Sequence, residues 1–166
     1  MLKKRLSESI ERHRPKVLVY GGAGVGKTTL IATLTGKILI LSAEAGLLSL
    51  SGADIDADVI EVQSIDTLRA AYAEIKAAPD AYDWVVLDSV SEIGEVCLAA
   101  EKAKTKDPRQ AYGALQDAML SIMRAFRDLP CGVYFSAKLS TTKDEATGRV
   151  SYGIGMPGAK LGESVP

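Results

Sequence analysis

Apolar residues along this chain fall into short unbroken runs that alternate with stretches of helical period. Runs of the first kind are residues 16–20 (KVLVY), 37–42 (KILILS), 59–62 (VIEV), 83–87 (DWVVL) and 131–137 (CGVYFSA). Segments this rich in Val, Ile and Leu predict strands, those at 16–20 and 37–42 buried. Between them, Ile65, Leu68, Tyr72 and Ile75 share one helical face, opened by Ser64 as an N-cap. A helix is expected over 91–102 and a longer one over 109–128, where Tyr112, Leu115, Met119, Ile122 and Phe126 recur at three- and four-residue steps. A further helix over 27–34, stopped by Gly36, joins the first two strands. Ahead of the first strand, Leu2, Leu6 and Ile10 predict a short amphipathic helix over 2–14, ended by Pro15. Residues 51–58 read as a surface loop, and 139–158 are polar, glycine-containing and without sustained period.

Strands alternating with helices imply an α/β domain with a mainly parallel sheet and helices on both of its faces. The length of 166 residues suits one domain, divided into an N-terminal helix (1–15) and a core (16–166). With 47% apolar residues a single core can be buried. The net charge of -1 excludes a strong global positive field of the kind that holds a protein to nucleic acid. It leaves room for a local basic loop that meets phosphates. Cys97 and Cys131 have no metal-site spacing and read as two reduced core thiols. No apolar stretch approaches the ~18 residues of a membrane span. The basic start is followed by Glu8, Glu11 and Arg12 instead of an apolar run, so neither a signal peptide nor a membrane partner is expected, and the cytoplasm is the expected location. Residues 153–166 read as the approach to a further strand, with the expectation that the native chain continues past Pro166.

The segment between the first strand and its helix carries chemistry. Gly21-Gly22-Ala23-Gly24-Val25-Gly26-Lys27-Thr28 is a full G-x-x-x-x-G-K-T phosphate loop. Its glycines let successive backbone N–H groups turn inward on phosphate oxygens. A helix beginning near Lys27 would aim unpaired N–H groups at the same anion. Lys27 is expected to reach the β- and γ-phosphates, and the Thr28 hydroxyl to ligate Mg²⁺, with Thr29 completing the nucleotide-binding set. The expected ligand is Mg-ATP.

A phosphate loop of this kind works with an acid beside the metal. Asp88 closes the strand 83–87 in the form of a Walker B element, where it either joins the metal shell or caps the next helix. Many such ATPases carry a glutamate directly after that aspartate; here the position is Ser89, so the base for the attacking water has to come from elsewhere. Glu44 is the first candidate, delivered by a strand expected to lie beside the cradle strand, and Glu92 is the second. Lys138 ends the fifth strand, either as a sensor of the γ-phosphate or partner contact or as a solvated lysine.

Together these features resemble the RecA-like recombinase core. Ser42-Ala43-Glu44-Ala45 is similar to that family's D-A-E or D-T-E stretch with serine in place of aspartate, and Val85-Val86-Leu87-Asp88-Ser89-Val90 is similar to its Walker B. More narrowly, residues 111–115 (AYGAL), 133–138 (VYFSAK) and 156–162 (MPGAKLG) resemble small phage ATP-binding proteins, some of which anneal single strands beside a single-stranded DNA-binding protein. The resemblance implies a P-loop ATPase, weak without DNA or partner, that uses ATP and Mg²⁺ with Glu44 as base and Lys27 as the catalytic lysine. It also implies single-stranded DNA and a single-stranded DNA-binding protein as partners, a homo-oligomer, and the cytoplasm of a bacterial host. Residues 139–155 then correspond to a DNA-contacting loop, where Lys143 and Arg149 meet phosphates and Tyr152 stacks on a base. Lys160 would contact a neighbouring subunit's γ-phosphate. Lys138 stands where RecA proper has a glutamine, and the N-terminal region is short for a polymerisation domain. Both departures favour annealing or a helper ATPase over strand exchange.

Two other readings of the same cradle are a non-hydrolysing module that assembles partners when ATP is bound, and a GTPase switch. The second lacks its motifs. Thr142-Lys143-Asp144 and Thr105-Lys106-Asp107 miss the spacer of N/T-K-x-D, and Ser91 stands where a switch carries glycine after the aspartate.

Overall fold

Period-two alternation in the central strands sends two sets of side chains to opposite faces of one sheet. The structure is a computed structural model and describes residues 14–158. Its strands are β1 Lys16–Gly21, β2 Ile38–Ser42, β3 Ala57–Glu61, β4 Trp84–Asp88, β5 Gly132–Lys143 and β6 Val150–Gly155. Its α-helices are α1 Ile65–Ala77, α2 Val90–Lys104 and α3 Pro108–Arg127. Among the described residues the strands form one sheet in the order β1-β5-β4-β2-β3, with β6 antiparallel on β5. The first five are parallel, so each return passes through a helical element or a long crossover. This is the α/β architecture, with a mainly parallel sheet, that the alternation implies.

Leu39, Leu41, Val85, Leu87, Val133 and Ala137 face the three α-helices and join Leu68, Ile93, Leu115, Met119 and Phe126 in the larger core. Ile38, Ile40, Val86 and Tyr134 point the other way and pack with Ile31, Leu34, Leu47 and Leu50. That second face is covered by two 3-10 turns, Thr29–Thr33 and Ala45–Leu50. Ser64 caps α1 as its position implies, its Oγ accepting from the Thr67 N–H at 3.3 Å. The face read on α3 is buried at Leu115, Met119, Ile122 and Phe126. Tyr112 departs from it, 39% exposed near the helix start with the Lys102 ammonium 5.0 Å from its ring. Both cysteines are free and buried, and burial pushes the Cys97 thiol up to about 11. Among the described residues no helix is long and apolar enough to cross a membrane.

Four expectations are corrected. Among the described residues β1 is an edge strand with a neighbour on one side only, and Leu18 and Tyr20 are 40% and 46% exposed where a buried strand is expected. The expected helix over 27–34 is the five-residue 3-10 turn Thr29–Thr33. After one longer bond from Leu30 N–H to the Gly26 carbonyl, the chain tightens to Ile31 on Thr28 and Leu34 on Ile31. Threonines 28, 29 and 33 with Ile31 make this segment rich in β-branched side chains, which lose χ1 freedom in an α-helix. Residues 139–158 are largely ordered as the second half of β5 and all of β6, a two-stranded ribbon. The strand expected at 59–62 begins earlier, at Ala57. The helix expected over 2–14 falls, but for Arg14, outside the described residues, as does Lys160.

Candidate functional site

The loop after β1 turns through Gly24 and Gly26, at φ 75° and 89°. Side-chain-bearing residues rarely enter that left-handed region, so the two glycines are required by the path of the backbone. Lys27 folds back across the loop, its Nζ donating to the carbonyls of Gly21 at 3.0 Å and Gly22 at 2.7 Å. The far end of the loop is anchored from the sheet, where the Tyr134 hydroxyl donates to the Lys27 carbonyl at 2.8 Å. Burial, with the nearby Asp88 charge adding, pushes that hydroxyl up to about 12, so it remains a donor at physiological pH.

Strand parity places the acid. Tyr134 and Ser136 of β5 and Asp88 of β4 share the sheet face that carries the loop. Asp88 is 5% exposed and fully engaged. Its Oδ2 accepts from Thr28 Oγ1 at 2.7 Å, and its Oδ1 accepts from Ser136 Oγ in a short bond. The peptide that follows Asp88 is cis. Ser89, and not Asp88, caps α2 by accepting from the Glu92 N–H at 3.3 Å, so the capping alternative for Asp88 does not hold.

Glu44 reaches the site by another route than expected. β2 is not beside β1, because β5 and β4 lie between them. All of these parallel strands nevertheless end at one edge, and Ser42 of β2 is in register with Asp88 of β4. Ser42, serine in the place of the family's aspartate, fixes the backbone beyond it. Its Oγ donates to the Glu44 carbonyl at 3.1 Å and accepts from the Glu44 N–H at 3.3 Å. The Glu44 Oε1 in turn accepts from Ser89 Oγ at 2.7 Å.

One cavity of about 540 Å³ collects these groups. It is lined by Gly21, Gly22, Ala23, Gly24, Gly26, Lys27, Thr28, Thr29, Glu44, Asp88 and Lys138, together with Gly46, Ser49, Ser89 and Leu139. Val25 alone of the loop does not line it; it is 64% exposed and its side chain lies over Gly21. Lys138 stands at the far wall in an ion pair with Glu92. Glu92 therefore borders a smaller neighbouring recess and lies outside the lining of the main cavity. For a metal, the donor set on the protein side is the Thr28 hydroxyl and the Asp88 carboxylate. Among the described residues no group of three or more His, Cys, Asp or Glu is arranged to hold a metal ion. Two oxygen donors beside a phosphate cradle suit Mg²⁺, which keeps waters and shares its shell with phosphates.

Lys143, Arg149 and Tyr152 are not at this cavity. Lys143 pairs with Val150 and Thr141 with Tyr152 along the ribbon of β5 and β6. Directly paired residues share a face, so Leu139, Thr141, Lys143, Val150 and Tyr152 lie on one side. Tyr152 is 66% exposed there. At the tip, the Asp144 carboxylate accepts from the N–H groups of Ala146 at 2.9 Å and Thr147 at 3.2 Å. The Thr147 side chain foremost, and then these N–H bonds, hold its carboxyl below the ordinary value of 3.8. The ribbon's root is tied to α2, since Ser91 Oγ donates to the Gly155 carbonyl at 2.5 Å and accepts from the Lys138 N–H at 2.9 Å.

Tyr134, Ser136 and Ser89 are site residues that the sequence reading did not assign a role. Their signal was a polar group at an inward position of a buried strand or at a strand end, visible only once the strand's facing is known.

The sequence profile of a family described as an AAA domain matches residues 13–160. This chain is an AAA-domain protein. Among solved structures, the AAA domain is similar to a KaiC-like protein from the hyperthermophilic archaeon Pyrococcus horikoshii OT3. The TM-score is 0.51 at 14% identity, over 84% of this chain and 76% of that one. At that identity the likeness concerns the fold alone, a RecA-like α/β core with a mainly parallel sheet. No curated protein matches the chain.

Proposed function

We propose that this AAA domain binds and hydrolyses Mg-ATP, and that its turnover serves single-strand annealing or recombination of the phage type its sequence resembles. One observation carries the first half: Lys27 and Thr28 of the loop, Glu44 after β2 and Asp88 at the end of β4, three separate segments of the chain, border one cavity. The loop's N–H groups and Lys27 bind the triphosphate, exchanging neutral carbonyl partners for charged phosphate oxygens. Glu44 takes a proton from water as the water oxygen bonds to the γ-phosphorus. The bond from that phosphorus to the bridging oxygen breaks, and its electron pair leaves with ADP. Thr28 and Asp88 would hold Mg²⁺, which supplies charge neutralisation on the phosphates. Lys138 would meet the γ-phosphate by leaving Glu92.

The DNA half draws on the ribbon, where Lys143 and Arg149 offer cations and Tyr152 an exposed ring for stacking. Asp144, exposed at the tip and accepting from two N–H groups, dilutes that positive charge together with Glu145. A homo-oligomer and a single-stranded DNA-binding protein are the proposed partners. The deciding experiment is ATP turnover at low salt with and without single-stranded DNA, alongside mass measurements with and without nucleotide. Stimulation by single strands is expected. Turnover indifferent to DNA removes the annealing role, and absence of Mg-ATP uptake removes the whole reading. The outer edge of β1, unpaired among the described residues and with Leu18 and Tyr20 exposed, favours a second reading, an ATP-dependent assembly module without hydrolysis. Turnover in the wild type that is lost in Glu44→Gln separates the two, and a GTP competition assay tests the switch.

A further inference from the structure

Ser89 is 3% exposed, whereas Glu44 is exposed to solvent. The hydroxyl of Ser89 has a single proton, and it is given to Glu44 Oε1 at 2.7 Å. Its bond to the Glu92 N–H uses a lone pair instead, so capping α2 and holding Glu44 do not compete. A serine fixed in a helix cap thus holds a side chain that is otherwise free to move in water. With Ser42 fixing the Glu44 backbone, the rotamer of Glu44 is the freedom that Ser89 removes.

The consequence is an asymmetry between the two carboxylate oxygens. Oε1 is engaged. Oε2 borders Gly46, where a Cβ would stand 3.8 Å from it and 3.9 Å from Thr28 Oγ1. Those are ordinary contact distances, so a space of about methyl or water size lies open between Glu44 Oε2 and the threonine of the cradle.

We infer that Ser89 is a positioning residue for ATP hydrolysis: it anchors Glu44 Oε1 so that Oε2 is the oxygen that receives the proton of the attacking water. The inference rests on the ATPase reading above. The residue directly after the Walker B aspartate then retains a part in activating water, now through a glutamate delivered by a different strand.

The test compares Ser89→Ala, Ser89→Thr, Ser89→Asp and Glu44→Gln in the full chain, measuring turnover per folded protein, Mg-ATP affinity and Tm. Ser89→Ala is expected to lower kcat about tenfold with ATP affinity within about twofold of wild type, since the cradle is untouched. Ser89→Thr, which keeps cap and proton, restores kcat. Ser89→Asp keeps a capping oxygen but has no proton to give, so it is expected to be as slow as Ser89→Ala. This pair decides the matter even if Ser89→Ala fails to fold. In the Glu44→Gln background Ser89→Ala should cause no further loss. A serine that only caps would lower Tm and leave kcat alone. Wild-type kcat in Ser89→Ala or Ser89→Asp, with Glu44→Gln inactive, overturns the positioning role and leaves the ATPase reading standing. Wild-type turnover in Glu44→Gln overturns both.

Discussion

The bond from Tyr134 to the Lys27 carbonyl can be removed with little else disturbed. Tyr134 is 1% exposed, and its ring packs with Ile31, Ile38, Ile40 and Val86. Tyr134→Phe keeps that ring, whereas Tyr134→Ala would add a cavity cost of several kcal/mol and obscure the result. What is lost is one hydrogen bond and the partner of a half-buried carbonyl. A net bond is worth about 0.5–1.5 kcal/mol, and an orphaned carbonyl adds to that where water cannot reach it. Lys27 is only part-buried, which holds the sum near 1–2 kcal/mol, roughly. For a chain of this size each kcal/mol moves Tm by about 2–4 °C, so a fall of about 2–8 °C is expected. The same loss frees the end of the cradle, and ATP must order it again on binding. If that ordering costs about 1.4 kcal/mol, affinity falls about tenfold. At a nucleotide concentration of about 100 times the wild-type Kd, stabilisation by ligand then drops from about 2.7 to about 1.4 kcal/mol. Thermal unfolding with and without Mg-ATP reads both effects. A variant that melts within a degree of wild type and gains the same stabilisation from nucleotide would show that Tyr134 does not hold the cradle.

Other perturbations reach different parts of the fold. Lys27→Ala leaves the loop path set by Gly24 and Gly26 but removes its cation, and calorimetry should show Mg-ATP binding reduced beyond detection. Gly132→Ala would put a Cβ 2.6 Å from the Trp84 ring, so the ring or strand has to shift; a loss of about 1–3 kcal/mol is expected in denaturant unfolding. Asp144 has its carboxyl held below 3.8, so its contribution to the ribbon tip is complete above that pH and is lost as pH falls through the lowered value. Amide exchange at Ala146 and Thr147 should therefore quicken in acid, and Asp144→Ala should show the same quickening at neutral pH with Tm unchanged.

What could be read without coordinates follows a physical rule. The phosphate loop and Asp88 were legible because each is a local pattern: glycines at fixed spacing after an apolar run, and an acid at the end of one. α1 was legible because its period and its cap, Ser64, sit next to one another in sequence. Long-range information was not. Nothing in residues 16–20 says that β1 has one neighbour, so its exposure was missed, and so was the distance from β1 to β2 in the sheet. Glu44 does lie beyond a strand end at the shared edge of the sheet, though the adjacency to β1 supposed for its strand was wrong. The ribbon was missed because Leu139, Thr141 and Lys143 alternate with serine and threonine, a period-two pattern without the apolar contrast that marks a buried strand.

The arrangement of charges also bears on how the site can work. Lys27 rests on two carbonyls, Asp88 on two hydroxyls, and Lys138 on Glu92. Binding a triphosphate is then an exchange of partners, and only the difference between old and new partners appears as affinity. For Lys27 the exchange favours the ligand, because a charged phosphate oxygen replaces neutral carbonyls. For Lys138 it is nearly even, because one anion replaces another. Whatever draws Lys138 away leaves Glu92 uncompensated on α2, one turn along from the Ser89 cap and next to Ser91, which ties β5 to β6. The Lys138–Glu92 ion pair at the edge of the cradle and the Ser91 bonds at the root of the ribbon therefore lie side by side at the start of α2.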